Sequence, residues 1–501
     1  MANHSSSSFT NSSPSSPPFS PPSSILIIGS GVFGLSTAYA LARRDVFSQT
    51  SITVVDRAAS ASDRDPVFPA RDSSSIDSSR IIRADYADPA YTKLAAEAQR
   101  QWRQAEGPDD LGAEGRYTES GLVMVADGIP PENPPTDHGA LPAQQKKVKK
   151  SGMDYARASW ENVVALSAQD PELAGRIREL PNPAAIRDAV GTGGTSGSWG
   201  YLNGCAGWAN AEKSMSWLYE KVRRTGRVEF VCGTVTRLVH NGETVTGANL
   251  ADGRTLSADL VILATGAWTA SLLDLAGQAS ATGQVLAYMD ITEEEQEQLG
   301  KMPTLLNLTT GLFIIPPANR VLKVARHSYG YLNPTDLAAA PLPPTLAVPT
   351  PVNSGASWTI SYPRTSISDP DLSIPNEGVA DLRRALREMI PLPALHDRPF
   401  TSTRLCWYTD TAAGDFIISH HPRYAGLFVA TGGSGHGFKF LPVIGDKIVD
   451  TIEGRCPAEF REKWAWKEMA GRDPVATEDG TRGGKPGLIL ADELRKPRTA
   501  H

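Results

Sequence analysis

Cysteine is scarce in this chain: four occur among 501 residues, and no two of them form a Cys-x-x-Cys pair. Structural zinc sites are usually built from such closely spaced ligands, so the sequence predicts no metal site. No signal peptide is recognisable, so we expect a reducing compartment, which disfavours disulfides. Two explanations remain for a cysteine such as Cys406: a small buried apolar side chain or a chemical anchor.

Long apolar runs and an excess of positive charge are also absent. No stretch approaches the roughly 20 apolar residues that a transmembrane helix needs, so we expect no membrane partner. The net charge of −6 has the wrong sign for a protein that binds nucleic acid. The chain ends in Arg-Thr-Ala-His rather than in a Ser-Lys-Leu peroxisomal signal, and we therefore expect a cytoplasmic protein.

A glycine-rich turn begins the ordered part of the chain, after a Ser/Pro-rich arm (1–22) that we expect to be disordered. Gly29, Gly31 and Gly34 form a Gly-x-Gly-x-x-Gly motif between an apolar strand and an amphipathic helix, and the next strand ends at Asp56. This order of elements is typical of a dinucleotide-binding unit. The glycines let the backbone approach a pyrophosphate at a helix N-terminus, and Asp56 is placed to accept a hydrogen bond from a ribose hydroxyl.

Two later segments also have the pattern of a nucleotide-binding domain. One contains an amphipathic helix, hairpin strands and a buried strand that stops at Gly266; the other has a strand, a glycine-rich turn and a helix. A domain assembled from separate pieces favours a flavoprotein over a nicotinamide dehydrogenase, in which this unit is usually contiguous.

The predicted fold class is therefore α/β, with a discontinuous Rossmann-like FAD-binding domain and a second, mixed-sheet substrate domain of α+β type. Two proline-rich stretches, 128–150 and 338–355, are expected to be surface insertions. We assign 23–95, 205–280 and 405–465 to the FAD-binding domain, 96–204 and 281–404 to the substrate domain, and 466–501 to a polar, loosely held tail.

Four sequence blocks together resemble the amine-oxidising flavoproteins of the D-amino-acid oxidase superfamily. They cover residues 25–34 (ILIIGSGVFG), 78–91 (SSRIIRADYADPAY), 405–416 (LCWYTDTAAGDF) and 432–445 (GGSGHGFKFLPVIG). The branch they resemble contains monomeric sarcosine oxidase, L-pipecolate and saccharopine oxidases, and fungal fructosyl amino acid oxidases. Each block alone is short, and it is their joint occurrence in this order that makes the resemblance specific.

The resemblance implies FAD as the cofactor, bound covalently through a thioether between Cys406 and the 8α-methyl group of the flavin. A buried apolar role for Cys406 is the alternative. Glycines of the last block would expose backbone N–H groups that stabilise negative charge on the reduced flavin. The residues expected to contact FAD are Gly29, Ser30, Gly31, Val32, Phe33, Gly34, Asp56, Arg57, Ser79, Arg80, Val235, Gly266, Cys406, Gly435, His436, Gly437, Phe438 and Lys439.

The resemblance also implies a site for a substrate carboxylate, held by Arg83 and Lys439. Arginine can bind a carboxylate through two hydrogen bonds, whereas lysine acts as a point charge. Tyr408 is expected to line the substrate side of the flavin. The alternative for the two arginines of the second block is a surface ion pair with Asp77 or Asp85. The expected catalytic residues are Arg80, Tyr408 and Lys439.

One residue that such relatives use has no clear match in this chain. In that branch a substrate-domain lysine hydrogen-bonds through water to flavin N5 and activates oxygen, but the stretch 283–301 where we look for it is acidic. Lys301 and Lys323 are the candidates. We expect His436 to be structural or to lie beside the flavin rather than to be catalytic.

From these residues and this resemblance we expect an oxidase of secondary amines that bear a carboxylate. Hydride from the C–H beside the amine would pass to the flavin, and O₂ would reoxidise it, giving an imine and H₂O₂. Gly433 stands where fructosyl amino acid oxidases tend to carry aspartate, which favours N-alkyl or cyclic amino acids, including specialised N-methyl amino acids of secondary metabolism. The alternatives are a flavin dehydrogenase with another electron acceptor, a fructosyl amino acid oxidase and a non-catalytic nucleotide sensor. We expect a monomer, and the resemblance leaves a peroxisomal location open.

Overall fold

The computed structural model describes residues 19–57, 69–128, 150–275, 277–337, 341–342, 358–468 and 473–497. Most of the predicted N-terminal arm (1–22) and of the two predicted insertions (128–150 and 338–355) lie outside the described residues. The described residues form two main sheets, one of six strands and one of ten, with helices packed around them.

The six-stranded sheet contains the glycine turn predicted from the sequence. Its strands are parallel except for one antiparallel edge strand. Side chains of the first strand alternate between two cores, with Ile27 on one face and Leu26 on the other. Both faces are covered, which is why the sequence of this strand is apolar throughout. Across the sheet the strands are Ile417–His420, Leu427–Thr431, Leu260–Leu263, Ser24–Ile28, Ser51–Asp56 and Val228–Cys232.

Helices cover one face of this sheet, and a small three-stranded sheet covers the other. Val32–Arg43 packs against Ala211–Arg224 and Ile444–Ile452, and apolar residues of all three helices share one core. On the opposite face, Leu238 and Val245 of the small sheet pack into a second core. The strands of the small sheet are Val235–Asn241, Thr244–Leu250 and Thr255–Ser257.

The carboxyl ends of the parallel strands meet at one edge of the six-stranded sheet. Ile28 is followed by the glycine turn, Asp56 ends its own strand, and Leu263 and Thr431 are followed by two more glycine-containing turns. In an open α/β sheet, ligands bind in the crevice outside these ends. The fold therefore places residues from four distant parts of the chain around one crevice.

The ten-stranded sheet forms the other wall of that crevice. Ala279–Asp290 pairs with Ser402–Thr411 on one side and with Val321–Arg326 on the other. The predicted domain boundaries at 280/281 and 404/405 fall inside two of these strands, so the strand pair connects both units. Across the sheet the strands are Leu488–Ile489, Tyr331–Leu332, Ala279–Asp290, Val321–Arg326, Leu312–Ala318, Thr304–Asn307, Leu122–Ala126, Trp199–Asn203 and Ile177–Leu180, with Ser402–Thr411 added beside Ala279–Asp290.

The remaining elements are short sheets and helices. One small sheet contains Arg80–Ile82, Gly207–Ala209 and Tyr117–Thr118, and another contains Pro334–Leu337 and Trp358–Ser361. The α-helices are Val32–Arg43, Pro89–Arg103, Gly152–Ser167, Pro183–Val190, Ala211–Arg224, Glu293–Leu299, Asn376–Met389, Pro393–His396, Ile444–Ile452, Arg461–Trp464 and Leu490–Arg495. The 3₁₀ helices are Asp45–Phe47, Gly266–Ser271 and Gly437–Phe440.

The C-terminal segment differs from the loosely held tail that we expected. Leu488–Ile489 pairs with Tyr331–Leu332 of the large sheet, and Leu490 is buried. Thr481 and Arg482 are also buried. The segment is polar, as expected, but composition does not distinguish a solvated polar side chain from one whose hydrogen-bond partners lie inside the protein.

These layers confirm the predicted α/β class, with a Rossmann-like parallel sheet and a second, mixed sheet beside it. The parallel sheet collects strands from separate parts of the chain, as the discontinuous pattern of the sequence indicated. Within the ranges that the structure describes, no helix has both the length and the apolar character to cross a membrane.

Candidate active site

Two adjoining cavities lie between the carboxyl edge of the parallel sheet and the large sheet. The first, of about 210 Å³, extends from Asp56 and Val235 along the glycine turn to Tyr408. The second, of about 90 Å³, lies against the large sheet, with Cys406 in its wall. The two cavities adjoin, with Arg80, Tyr408, Gly435 and Phe438 in the walls of both, and together they make up the space around the glycine turn and Cys406.

Most of the residues predicted to contact FAD line this space. The first cavity has Gly29, Gly31, Val32, Phe33, Asp56, Arg57, Arg80, Val235, Gly266, Tyr408, Gly435, Gly437 and Phe438 in its wall. The second has Ser79, Arg80, Arg83, Cys406, Tyr408, Gly435, His436, Phe438 and Lys439. Ser30 lies behind the turn, where its backbone N–H and hydroxyl donate to Asp56 Oδ2 at 2.8 and 2.7 Å.

The shape of the glycine turn depends on residues without a side chain. A Cβ on Gly34 would lie 1.8 Å from the carbonyl oxygen of Gly29, so the helix can start this close to the strand only with glycine. Gly435 has a φ of +71°, and a Cβ there would lie 2.4 Å from Tyr408 Cε2. The tight turn and the long adjoining space fit an extended dinucleotide such as FAD.

Cys406 lies in the large-sheet wall of the second cavity, opposite Gln284 in the strand pairing. It is buried, and Leu286 and Ala325 pack beside it. Arg80 Nη2 donates to Cys406 Sγ at 3.6 Å. The sulfur therefore lies in the wall of the second cavity, which adjoins the first, and the guanidinium of Arg80 is next to it.

The carboxylate of Asp77 accepts hydrogen bonds from three polar side chains close to Cys406. Arg80 Nη1 donates to Asp77 Oδ2, Lys323 Nζ donates to the same oxygen at 2.7 Å, and Tyr288 OH donates to Oδ1 at 2.5 Å. Burial alone would raise the pKa of Asp77, but the charges of Arg80 and Lys323 hold that pKa well below its usual value. Burial lowers the pKa of Lys323 to about 8, although the charge of Asp77 opposes this shift.

Arg83 and Lys439 also reach the second cavity. Arg83 Nη1 is buried and has no hydrogen-bond partner among the described residues. Lys439 Nζ donates to Tyr86 OH and to the carbonyl oxygen of His436, both at 2.9 Å. Burial, and then the charge of Arg83, lower the pKa of Lys439 well below its usual value. The cavity thus has two neighbouring basic side chains that lack an anionic partner within hydrogen-bond distance among the described residues.

The surface ion pairs that we considered as alternatives for the two arginines do not describe the structure. Arg80 does pair with Asp77, but the aspartate side chain is fully buried at the edge of the cavity. Asp85 is buried as well, and its carboxylate accepts hydrogen bonds from Asn203 Nδ2 at 3.0 and 3.1 Å. Arg83 is buried with its guanidinium 5.0 Å from the ring centroid of Tyr86.

His436 is held on both ring nitrogens. Nδ1 lies 2.9 Å from Tyr86 OH, and Nε2 lies 2.7 Å from the carbonyl oxygen of Gly414, to which it must donate. Its ring stacks on Phe416 at 4.8 Å between centroids. Burial, with the charge of Lys439 as the next cause, lowers the pKa of His436 well below its usual value. These contacts are those of a neutral histidine that supports Tyr86 and Lys439.

The structure distinguishes the two candidate lysines. Lys323 lies in the wall of the second cavity beside Cys406, on a strand adjacent to Ala279–Asp290. Lys301 is exposed after the helix Glu293–Leu299. A single sequence could not make this choice, since it depends on which strands pair.

Three further residues at the site were not singled out from the sequence. Tyr86 lies inside the second block and could have been noticed there. His327 follows Lys323 by four residues and lines the same cavity. Arg482 contacts Tyr408 and His327 from the C-terminal segment, where no motif pointed to it.

Comparison with known proteins identifies the family. The family model DAO, described as FAD dependent oxidoreductase, matches residues 24–451. The chain belongs to the DAO family of FAD-dependent oxidoreductases. It is 33% identical over 476 residues to the amino acid oxidase imqH of Aspergillus flavus, a match that covers 86% of this chain and 93% of that protein. It is 30% identical over 456 residues to L-saccharopine oxidase of Schizosaccharomyces pombe, covering 89% of this chain and 93% of that one.

Solved structures of the family share the fold of this DAO-family enzyme. The fructosamine oxidase Amadoriase II of Aspergillus fumigatus is 26% identical, with a TM-score of 0.70 and coverage of 94% of this chain and 96% of that one. Family membership confirms the resemblance inferred from the four blocks, the enzyme class and FAD as the cofactor. The individual residues assigned to FAD and to substrate stay predictions.

Proposed function

We propose that this DAO-family enzyme oxidises secondary amines that bear a carboxylate, such as N-alkyl or cyclic amino acids. The observation that carries the proposal is the pair of buried basic side chains at one cavity, Arg83 and Lys439, next to Cys406. Leaving a buried cationic nitrogen such as Arg83 Nη1 without a partner costs free energy, and an anionic ligand would remove that cost. Relatives named amino acid oxidase, L-saccharopine oxidase and sarcosine oxidase support the same reading.

In this proposal Arg83 binds the substrate carboxylate and Lys439 adds a second positive charge. The orientation of Lys439 is set by Tyr86 and by the carbonyl oxygen of His436, so its ammonium group need not reorganise when the substrate arrives. A bound carboxylate would also raise the pKa of Lys439 again and keep it charged. Tyr408 lies in the wall that separates the second cavity from the first, where FAD would bind. Bound FAD would supply the acceptor for hydride from the C–H beside the substrate amine.

We also propose that FAD is attached covalently through Cys406. The sulfur lies in the cavity wall at the far end of the space that starts at Asp56, and Arg80 places a positive charge beside it. A thiolate is the reactive form of cysteine, and neighbouring cations stabilise thiolates. The alternative is that Cys406 only fills the apolar cluster with Leu286 and Ala325.

Lys323 is the residue that we propose to activate O₂. Its ammonium group is buried beside Cys406, where a fixed positive charge would stabilise the negative charge that develops as oxygen is reduced. Asp77 and the carbonyl oxygen of Ser79 hold Lys323 Nζ at 2.7 and 2.8 Å. Lys301, exposed and outside the cavity wall, is the matched control for this role.

A substrate panel tests the proposed function. Purified enzyme is mixed with sarcosine, L-pipecolate, N-methyl amino acids with apolar side chains, saccharopine and a fructosyl amino acid, and H₂O₂ and flavin bleaching are recorded. We expect bleaching and peroxide with a secondary amine that bears a carboxylate, and neither with the matching amine that lacks one. Bleaching without peroxide in air would indicate the dehydrogenase alternative, and a preference for the fructosyl compound would indicate a fructosyl amino acid oxidase. A colourless protein would leave only the nucleotide-sensor alternative.

The covalent link has a separate test. Acid-precipitated protein should stay yellow, and a tryptic peptide containing Cys406 should carry the mass of FAD. Cys406→Ser should lose the link but still bind FAD reversibly, because the glycine turn and Asp56 are unchanged. Substituting Cys205, Cys232 or Cys456 should leave the link intact. Complete release of flavin from the wild-type protein in acid would mean that Cys406 is only a core residue.

A further inference from the structure

A buried arginine from the C-terminal segment lies behind the substrate cavity. Arg482 is outside the family match, which ends at residue 451, and its side chain is 1% exposed. Its Nη2 donates to Asp410 Oδ1 at 2.7 Å and to the carbonyl oxygen of Ser434 at 2.9 Å. The guanidinium lies 5.6 Å from the ring centroid of Tyr408. One side chain therefore contacts both the strand that carries Cys406 and the glycine-rich turn.

His327, in the wall of the second cavity, is another partner of this segment. Arg482 Nη1 donates to His327 Nδ1 at 3.3 Å, and Thr481 Oγ1 lies 3.3 Å from His327 Nε2. Because arginine can only donate, the proton of the neutral imidazole must be on Nε2. Nε2 then donates to Thr481 Oγ1, which donates to Asp479 Oδ1 at 2.7 Å. Every atom in this series has one consistent role, so the contacts select one neutral tautomer of His327.

We infer that Arg482 and Thr481 are positioning residues that hold His327 as a neutral ring in a single orientation, so that it shapes the substrate cavity without acting as an acid or a base. The inference rests on the proposed amine oxidation. When the substrate loses hydride it gains positive charge, and an imidazolium in the cavity wall would oppose that change. Asp410 offsets the charge of Arg482, so Arg482 and Asp410 together bring little net charge to the site.

Several charged and titratable groups face His327. Burial lowers the pKa of His327 well below its ordinary value, and the positive charge of Arg482 is the next cause. The groups that face the ring are Arg482, Arg83, His436, Lys439 and the ring of Tyr408 at 5.9 Å between centroids. Removing the donor to Nδ1 frees that nitrogen to take up a proton, because the other groups do not hydrogen-bond to it among the described contacts.

Two variants test the inference in the complete enzyme. Arg482→Lys keeps a charge for Asp410 but cannot contact Asp410, Ser434 and His327 at once, and Thr481→Val removes the acceptor for Nε2 without changing any charge. In both we expect kcat/KM to fall roughly tenfold, which corresponds to the loss of one hydrogen bond. In Arg482→Lys, which frees Nδ1, a new loss of activity should appear at acid pH, around the ordinary histidine pKa of about 6.5. Thr481→Val keeps the Arg482 donor on Nδ1 and should show no such loss. Flavin content should match the wild type. Arg495→Lys, in the same segment with its side chain 76% exposed, is the control and should behave as wild type.

A second readout does not depend on turnover. Propionate, a carboxylate without an amine, is titrated into the enzyme at several pH values and its Kd is read from the flavin absorption spectrum. Protonation of His327 in Arg482→Lys should tighten propionate binding at low pH relative to the wild type and to Thr481→Val.

The two readouts separate this inference from the proposed function. If no carboxylated amine is oxidised, the proposed function is wrong, and the propionate titration still reports on His327. If Arg482→Lys keeps the wild-type pH profile and propionate Kd, Arg482 only holds the C-terminal segment in place and the inference is wrong. If Arg482→Lys does not fold, Thr481→Val decides through kcat/KM: a wild-type value at wild-type flavin content would contradict the inference.

Discussion

Two arginines three positions apart have different environments in this protein. Arg80 is neutralised by Asp77 and lies beside Cys406, whereas Arg83 is buried with an unpartnered nitrogen next to Lys439. Arg80 begins the short strand Arg80–Ile82 and Arg83 follows it, and the two side chains contact different neighbours, Asp77 and the ring of Tyr86. At the residue scale, only the arginine without an anionic partner has an unused donor for a ligand.

Arg83→Gln should therefore weaken substrate binding. Loss of a charge-assisted hydrogen bond costs about 1.5–3 kcal/mol, so KM for a carboxylated amine should rise by roughly 10–200-fold. Flavin content should stay unchanged, because Arg83 lies outside the first cavity. KM is measured from peroxide formation, with the exposed Arg224→Gln as control. An unchanged KM would show that the carboxylate binds elsewhere.

The two half-reactions should depend on pH in opposite directions. Hydride leaves only an unprotonated amine readily, so flavin reduction should speed up as pH rises. Lys323 has a pKa lowered to about 8, so it is charged below that pH and loses its charge as pH rises through it. Reaction of the reduced enzyme with O₂ should therefore slow above about pH 8.

Lys323→Met should make the reaction of the reduced enzyme with O₂ slow at every pH. Stopped-flow mixing of the reduced enzyme with O₂ measures it directly, and Lys301→Met should behave as wild type. An oxygen reaction in Lys323→Met that keeps the wild-type rate and pH dependence would assign oxygen activation to another residue.

At the scale of elements, paired strands and tight turns place the chemistry. Cys406 and Lys323 lie on the two strands that flank Ala279–Asp290, and alternation along each strand points both side chains into the same cavity. On the opposite side, the first glycine turn brings Gly34 of the helix Val32–Arg43 so close to the Gly29 carbonyl oxygen that no Cβ fits between them. The site therefore depends on strand register on one side and on the absence of side chains on the other.

Gly34→Ala tests the turn. The added Cβ would lie 1.8 Å from the Gly29 carbonyl oxygen, so the turn must open, at a cost of about 1–3 kcal/mol. We expect a lower thermal midpoint and strongly reduced FAD content, measured from flavin absorbance per protein. Gly107→Ala, where no atom lies within 4 Å of the new Cβ, should retain both. Full flavin content in Gly34→Ala would mean that the turn does not hold the cofactor.

At the scale of the whole molecule, the exposure of apolar side chains bears on the expected oligomeric state. Large apolar side chains that are exposed among the described residues are scattered: Val46, Val164 and Ile367. Stable subunit interfaces need larger contiguous apolar patches. We expect a monomer of about 53.6 kDa plus its flavin, with a mass by light scattering that does not change with concentration. A mass that doubles on concentration would show an interface.

Sequence by itself determined the parts that depend on short-range spacing. The glycine motif, the apolar strand before it and Asp56 were all found, because strand, turn and helix follow from neighbouring residues. The four blocks likewise sufficed to indicate the family. Predicting these features does not require knowing which strands pair in the sheets.

Only the tertiary structure decided which distant side chains meet. It pairs Arg80 with Asp77 and leaves Nη1 of Arg83 without a hydrogen-bond partner among the described residues. It also selects Lys323 over Lys301 and brings Arg482 from the polar C-terminal segment to His327. Charge and polarity look the same in a sequence whether a side chain is solvated or buried against a partner hundreds of residues away. Burial and strand register settle that difference, and both exist only in the folded chain.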